Sequence, residues 1–258
     1  MKRIDLNCDM GELPAAITDG TQESLLPSFT SANIACGGHA GDASTMQTTI
    51  EQALRHHVAI GAHPGYPDRA NFGRLELQLS PAEVAALVFE QVRALAEIAA
   101  RCGAHLVHVK PHGALYNQAV QNRPLAAAIA AGVAKWSRER GLVLVGLAGS
   151  PMLEVFREAG FTTAAEAFAD RRYEPDGTLR SRKFADALLS DPDEAARQAL
   201  SIVERGTVAA SNGAAIPVDA QTLCIHGDTP GAPLIAANVA RTFRESGVML
   251  VALAQPQN

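Results

Sequence analysis

The sequence predicts an α/β protein with parallel strands, and the first choice of architecture is a closed (β/α) barrel with a missing or irregular strand. Short apolar runs alternate with amphipathic segments along the whole chain, which is typical of a parallel sheet. Several of the runs are apolar throughout, as expected for strands that are covered on both faces. A doubly wound open sheet is the alternative.

The predicted strands are apolar runs separated by segments with helical signals. They cover residues 3–8, 31–36, 58–62, 105–109, 142–147, 162–169, 222–225 and 248–253. Residues 211–220 look like a short loop, and no linker or low-complexity segment divides the chain. We therefore expect one barrel domain over residues 1–258, a length that can bury a sizeable core.

Two of the predicted helices carry clear start and stop signals. Ser80 is followed three positions later by Glu83, which is the pattern of a capping box, and Gly103 is placed to end that helix. Asp191 and Gly206 occupy the corresponding positions around a second helix. Such helices between apolar runs support the βα alternation.

Composition and charge argue against several classes of function. The chain has 22 basic and 27 acidic residues, a net charge of -5 and only 5% aromatic residues, so we expect no nucleic-acid partner. The first residues lack the apolar segment of a signal peptide, and no apolar stretch is long enough to cross a bilayer. We expect a cytoplasmic protein with no membrane partner, whose four cysteines are free thiols.

Titratable side chains are concentrated directly after the predicted strands. In parallel βα folds, the carboxyl ends of the strands and the loops that follow them build the active site. The candidate residues in chain order are Asn7, Asp9, Glu12, His39, His63, Lys110, His112, Tyr116, Glu166, Arg171, His226 and Asp228.

Four of the eight histidines occupy equivalent places just past strand ends. They are His39, His63, His112 and His226, and each has a glycine or proline beside it and an acid or lysine nearby. A single such histidine is more often a turn or core residue. Four at equivalent positions indicate an active site, because neutral imidazole and carboxylate together transfer protons or bind metal ions.

The cationic residues leave several interpretations open. Lys110 could be a Schiff-base nucleophile, a general base, a fixed charge for a substrate carboxylate or a structural ion-pair partner. Arg171 and Arg172 have the forked donors that suit anion recognition, although one of the two is expected to be a solvated surface group. Neither common nucleotide-binding glycine motif is present.

Six segments resemble the LamB/YcsF family. They read DLNCDMGE, SANIACGGHAGD, GAHPGYPD, VKPHGALYN, EAFADRRY and IHGDTPGA, and they occur in order over almost the whole chain. The resemblance implies an irregular seven-stranded barrel of the glycoside hydrolase/deacetylase type. It also implies ATP-dependent opening of the 5-oxoproline lactam to L-glutamate, together with 5-oxoprolinase subunits B and C.

The reaction that the resemblance implies lets us assign hypothetical roles to the candidate residues and a set of ligands. Asp9, His39, His63 and His112 would supply the general base and acid, while Lys110 and Arg171 would hold anions. ATP, with Mg²⁺ as its usual partner, would be required, and self-association into a homo-oligomer is left open. The residues expected to bind substrate are Asn7, Glu12, Tyr116, Glu166, Arg171, His226 and Asp228.

Two other functions remain compatible with the same residues. One is a stand-alone metal-dependent amidohydrolase or deacetylase, with a divalent ion on Asp9, His39 and His63. The other is a non-catalytic substrate-binding subunit whose partners carry out the chemistry. The missing nucleotide motif is compatible with either a family-specific ATP site or nucleotide binding by the partners.

Overall fold

The computed structural model describes residues 1–137 and 141–253, and strands alternate with helices through most of this part of the chain. The strands are β1 (Arg3–Met10), β2 (Ser31–Ala35), β3 (Ala59–His63), β4 (His108–Val109), β5 (Val143–Leu147), β6 (Thr162–Phe168), β7 (Thr207–Ala209), β8 (Ala215–Pro217), β9 (Thr222–Cys224) and β10 (Met249–Leu250). The helices are α1 (Pro14–Thr18), α2 (Thr21–Leu25), α3 (Ala43–Arg55), α4 (Pro81–Arg101), α5 (Gly113–Gln121), α6 (Arg123–Ser137), α7 (Pro151–Glu158), α8 (Pro192–Arg205) and α9 (Ala232–Glu245).

Seven parallel strands close into a ring within the described residues. They pair in the order β1, β2, β3, β4, β5, β6 and β9, and β9 returns to pair with β1 through Asp5 opposite Thr222. This closure confirms the irregular seven-stranded barrel and excludes the open, doubly wound sheet. The helices cover the outside of the ring, as is usual for a (β/α) barrel.

The sequence signals for helix ends are confirmed. Ser80 and Glu83 form a capping box at the start of α4. The Asp191 carboxylate caps α8, which ends at Gly206 with a φ of 65°, a left-handed conformation that glycine adopts without strain. A further capping box between Asp42 and Thr45 starts α3.

Three predicted segments differ from the structure. The strand expected at 105–109 is only two residues long, and the one expected at 248–253 is β10, which pairs with the first residues of β1 outside the ring. The reason is that β9 already occupies the rest of that edge of β1. Within residues 211–220, interpreted as a loop, β8 forms an antiparallel hairpin with β7.

Several expectations concern the chain as a whole. All four cysteines are free thiols, as expected. None of the described helices combines the length and apolarity that are needed to cross a bilayer. The single domain over residues 1–258 stays a prediction, and part of that range, 138–140 and 254–258, lies outside the described residues.

Candidate active site

Alternate residues of β1 project into the barrel and begin a polar layer there. Asn7 and Asp9 lie two positions apart on this strand, so both side chains face the same side. The register sets Asn33 of β2 opposite Asp9, and its amide donates to Asn7 Oδ1 at 2.7 Å and to Asp9 Oδ1 at 2.8 Å. His108 Nε2 lies 2.7 Å from Asn33 Oδ1. These contacts fix the orientation of the Asp9 carboxylate.

Lys110 occupies the centre of this polar layer. Its ammonium nitrogen lies 2.9 Å from Asp9 Oδ1, 2.8 Å from Glu166 Oε1 and 3.1 Å from Cys224 Sγ. Burial alone would lower the pKa of Lys110, but the charges of Asp9 and Glu166 raise it well above its usual value. Lys110 is therefore a fixed positive charge, which disfavours the Schiff-base and general-base interpretations.

Asp9 remains ionised in the same surroundings. Burial favours its neutral form, but His63 and Lys110 lower the pKa of Asp9 well below its usual value. One oxygen, Oδ1, is used by Lys110 and Asn33, whereas Oδ2 lies 3.3 Å from His63 Nε2. Asp9 thus links the lysine to a second group of side chains.

That second group is a buried cluster of three histidines and one glutamate. Glu12 Oε1 lies 2.8 Å from His39 Nε2, 3.2 Å from His112 Nδ1 and 3.9 Å from His63 Nε2. The facing nitrogens of His63 and His112 are 3.0 Å apart, and the rings of His39 and His112 stack with centroids 3.5 Å apart. One atom from each of the four side chains lies within 4.8 Å of the others, so these residues could hold a metal ion.

The metal ligands expected from the sequence, Asp9, His39 and His63, are arranged differently. His39 contacts Glu12, and Asp9 approaches only His63 among the three histidines. Glu12 therefore takes the place beside His39 that Asp9 was expected to fill. Asp9 belongs instead to a second group, with Cys224 and His226, whose atoms are also close enough to share an ion.

The loop after β3 shapes the histidine cluster. Phe72 has a φ of 56°, unusual for a residue with a side chain, and its carbonyl accepts from His112 Nε2 at 2.9 Å. Gly73 follows with a φ of 65°, and a Cβ there would lie 2.7 Å from His39 Cβ. At Gly65 a Cβ would lie 2.7 Å from His39 Nδ1. The two glycines therefore leave the room that the stacked histidines occupy.

Burial sets the charge states in this cluster. It lowers the pKa of His39 to about 2 and that of His112 well below its usual value, so both rings are neutral. Burial and the nearby Asp9 carboxylate raise the pKa of Glu12 to about 8. The cluster therefore offers neutral imidazoles and a carboxyl group that gains from any added positive charge.

Arginines surround the opening above these groups. Arg74 and Arg182 both bind the Asp228 carboxylate, so Asp228 holds two arginines in place. Arg171 is only 6% exposed, and burial together with Arg182 lowers its pKa to about 10. Its Nη2 donates to the Arg180 carbonyl, but its Nε has no hydrogen-bond partner among the described residues. A buried guanidinium of this kind favours an anionic ligand.

The two remaining candidates, His226 and Tyr116, both pack against Phe168. His226 stacks on Phe168 and lies 3.0 Å from Asp170 Oδ2, so the Asp170 carboxylate fixes its orientation. Tyr116 is buried edge-on against Phe168, and burial and Glu166 raise the pKa of its hydroxyl well above the usual value. Tyr116 is therefore a neutral hydroxyl group.

These groups share one cavity of about 890 Å³. Three predicted residues, Asn7, His39 and Glu166, are buried behind its wall. The predicted residues that line it are Asp9, Glu12, His63, Lys110, His112, Tyr116, Arg171, His226 and Asp228.

Sequence reasoning missed several residues of the site. Asn33 lies inside a strand and not after it, so the search of strand ends did not include it. A polar residue within an apolar run could have identified it as a candidate. Phe72 acts through its backbone carbonyl, and Arg74 and Arg182 lie in long loops that bring them to Asp228. Only the folded chain reveals these three.

Comparison with known proteins identifies the family. The sequence matches the LamB/YcsF family over residues 4–258. The chain belongs to the LamB/YcsF family. The resemblance inferred from the six segments is therefore confirmed.

Close relatives match over nearly their full length. A protein of Chloroflexus aggregans, named as the A subunit of 5-oxoprolinase, is 50% identical over 248 residues, which are 96% of this chain and 98% of the relative. A protein of Methylococcus capsulatus with the same name is 48% identical, covering 98% of this chain and 96% of the relative.

Solved structures agree with the barrel. The lactam utilization protein of Thermus thermophilus superposes with a TM-score of 0.89 at 43% identity, covering 98% of this chain and all of that one. A family 4 carbohydrate esterase of Streptomyces lividans shares the fold at 12% identity, with a TM-score of 0.51 over 98% of this chain and 94% of the esterase. The expected barrel is therefore confirmed at the level of fold.

Proposed function

We propose that this chain is the A subunit of a 5-oxoprolinase that opens the lactam of 5-oxo-L-proline to L-glutamate with ATP. The names and near-complete coverage of the relatives support this proposal. The observation that carries it is the single cavity in which a buried lysine, an ionised aspartate and an unpartnered arginine nitrogen lie together.

The substrate needs two kinds of recognition. It carries a carboxylate and an unactivated amide within one small ring. Arg171 would hold the carboxylate, because its unpartnered Nε gains a charge-assisted hydrogen bond. Lys110 would stabilise the negative charge that develops on the lactam oxygen, because its own charge is fixed in a water-poor site.

Water attack requires a proton acceptor beside the ring. Asp9 would fill this role, because it stays ionised and its Oδ2 is not engaged by Lys110. Three residues line the cavity next to Asp9 and would activate the water: Glu12, His63 and His112. His39 lies outside the cavity and would keep Glu12 in place through their contact. Asn7, Glu166, Tyr116 and His226 would shape the site around the ring.

ATP and Mg²⁺ are proposed as further reactants. Phosphoryl transfer from ATP to the lactam oxygen would release ADP and make the lactam carbon more electrophilic. Water would then add to that carbon, the C–N bond would break as the ring nitrogen takes a proton, and hydrolysis of the resulting acyl phosphate by a second water would give glutamate and phosphate. The cationic residues at the opening, Arg74 and Arg182, suit phosphate, and Asp228 keeps them in place. Since no common nucleotide motif is present, subunits B and C are proposed to complete the nucleotide site.

A second candidate function is a metal-dependent amide hydrolase that works without partners. The cluster of Glu12 and three histidines favours it, because histidine and carboxylate ligands are common in hydrolytic zinc sites. Such an enzyme would hydrolyse its amide without ATP, so the two functions differ in a simple assay.

The decisive experiment measures glutamate release from labelled 5-oxoproline. The purified chain is assayed alone, then with extract of its source cells from which the gene has been deleted, each with and without ATP. Glutamate that requires chain, extract and ATP supports the proposal, and K110M should abolish it. No glutamate in any mixture would contradict it, and ATP-independent release by the chain alone would favour the second candidate.

The same assay tests the non-catalytic alternative. If the chain only delivers substrate, K110M would weaken binding or assembly but leave partner turnover intact at saturating substrate. Arg197→Ala is the matched control, because Arg197 is exposed on α8 and is not part of the cavity wall.

A further inference from the structure

The rings of His63 and His112 have their tautomers fixed by backbone carbonyls. His63 Nδ1 lies 2.7 Å from the carbonyl oxygen of Lys110, and His112 Nε2 lies 2.9 Å from that of Phe72. A carbonyl can only accept, so each of these nitrogens carries the proton. His63 Nε2 and His112 Nδ1 are therefore the nitrogens that remain to face the cluster.

These two nitrogens face each other and two carboxyl groups. The nitrogens are 3.0 Å apart, with Asp9 Oδ2 3.3 Å from one and Glu12 Oε1 3.2 Å from the other. Two imidazole nitrogens and two carboxyl groups thus converge on one place, and this is the kind of ligand set that a divalent cation binds.

The charged groups of the surrounding polar layer also favour a bound cation. Three buried carboxyl groups, those of Asp9, Glu12 and Glu166, are matched by one ammonium group, that of Lys110. Lys110 contacts Asp9 and Glu166 but is not among the groups in contact with Glu12. Among the described residues no lysine or arginine pairs with Glu12, so a bound cation would supply the charged partner that this carboxyl group lacks.

We propose that the chain binds one divalent ion of the zinc class through His63 Nε2, His112 Nδ1 and Glu12 Oε1, with a fourth position open to the cavity. Tetrahedral zinc with bonds of about 2.0–2.1 Å separates its ligand atoms by about 3.3 Å. The separations of 3.0, 3.2 and 3.9 Å in the cluster bracket that value. Two histidines and a glutamate with one open position form a common catalytic zinc set.

His39 and the two carbonyls position the ligands. His39 Nε2 lies 2.8 Å from Glu12 Oε1, and the carbonyls hold the other two rings, as is usual for residues behind a metal site. A divalent ion at this place would act as a Lewis acid next to Asp9. This use of the ion rests on the proposed function, whereas binding itself does not.

The test measures zinc binding to the full chain alone. The protein is stripped with a chelator, and Zn²⁺ binding is followed by calorimetry and by metal analysis after dialysis. We expect one equivalent, a loss of more than about 100-fold in affinity for H63A and H112A, and a loss of about 10- to 100-fold for H39A. His105→Ala is the matched control, because His105 is exposed and outside the cluster, and it should bind like the wild type.

A second measurement keeps the inference testable if a variant fails to fold. Nitrogen-15 chemical shifts of the histidine rings in the stripped wild type should show neutral His63 protonated at Nδ1 and neutral His112 protonated at Nε2, and Zn²⁺ should shift the other nitrogen of each. A doubly protonated His63 in a chain that binds no zinc would overturn the inference, because a proton would then fill the place of the ion.

Equal binding by the wild type and the cluster variants would also overturn it. Because neither measurement uses 5-oxoproline, ATP or a partner, absence of zinc binding with intact glutamate release would refute this inference alone. Zinc binding without glutamate release would refute the proposed function alone.

Discussion

Lys110 Nζ and Glu166 Oε1 lie 2.8 Å apart where neither side chain meets solvent, since their exposed fractions are 3% and 0%. Removing one member of a buried ion pair leaves the other charge without compensation, which typically costs about 3–5 kcal/mol. We therefore expect K110M to lower the free energy of unfolding by about that amount, because Glu166 and Asp9 then lose their shared cation.

Urea denaturation followed by circular dichroism measures this change. The control is Arg93→Ala, which removes ion pairs to Glu90 and Glu97 on the exposed face of α4. It should leave the denaturation midpoint nearly unchanged, because solvent screens exposed pairs. If K110M were no less stable than the control, Lys110 would not be the compensating charge.

Arg171 should control substrate affinity more than turnover in the reconstituted enzyme. Loss of a hydrogen bond to a charged group costs about 1.5–3 kcal/mol, which corresponds to about 10- to 100-fold. We expect R171A to raise KM for 5-oxoproline by that factor, with R171K intermediate because lysine lacks the forked donors. Steady-state kinetics with R197A as control checks this, and an unchanged KM would remove Arg171 from the carboxylate site.

Asp170 should make stability depend on acid pH. Burial favours its neutral form, but interactions with His226 and a hydrogen bond from Thr229 lower the pKa of Asp170 to about 2. A depressed folded-state pKa contributes stability above the unfolded value of about 3.9 and loses it as the pH falls toward 2. The contribution at neutral pH is about 2–3 kcal/mol.

The variant D170N lacks this titration. The urea midpoint of D170N should therefore lie below that of the wild type at pH 6. The difference between the two midpoints should become smaller as the pH falls from about 4 toward 2, because the wild type then loses the contribution of Asp170. The measurement compares urea midpoints at several pH values. A gap that stays constant over this range would show that Asp170 titrates normally.

The sequence predicted the barrel well because its signals are local. Capping residues such as Ser80 and Asp191 and continuously apolar runs need no knowledge of distant contacts. Closure of the barrel was harder to predict from the sequence, because it depends on the pairing of Asp5 with Thr222, which lie almost the whole chain apart. The short length of β10 results from this closure, because β9 occupies most of the same edge of β1, and it could not be predicted from the apolar run of β10 itself.

The sequence predicted which residues lie around the cavity but not how they contact one another. Placement after strand ends brought His39, His63 and His112 together, as the barrel rule requires. Which carboxylate joins them depends on the turn after β1, which brings Glu12 and not Asp9 next to His39. The carbonyls of Lys110 and Phe72 have no side-chain signal, so the fixed tautomers could not be predicted.

Gly73 and Gly103 offer a matched pair for testing the packing around the histidines. Both have a left-handed backbone, with φ of 65° and 74°, so alanine at either position costs about 1–2 kcal/mol in backbone strain. At Gly103 an added Cβ meets nothing within 4 Å, whereas at Gly73 it would lie 2.7 Å from His39 Cβ and 2.9 Å from His112 Cδ2.

We therefore expect G73A to be less stable than G103A by a further amount of about 1–3 kcal/mol, the usual cost of overpacking a buried site. G73A should also weaken zinc binding, since the stacked rings must shift, while G103A should bind like the wild type. Urea denaturation and calorimetry measure both effects. Equal stability of the two variants would mean that the loop after β3 can move away, and that Gly73 does not hold His39 and His112 together.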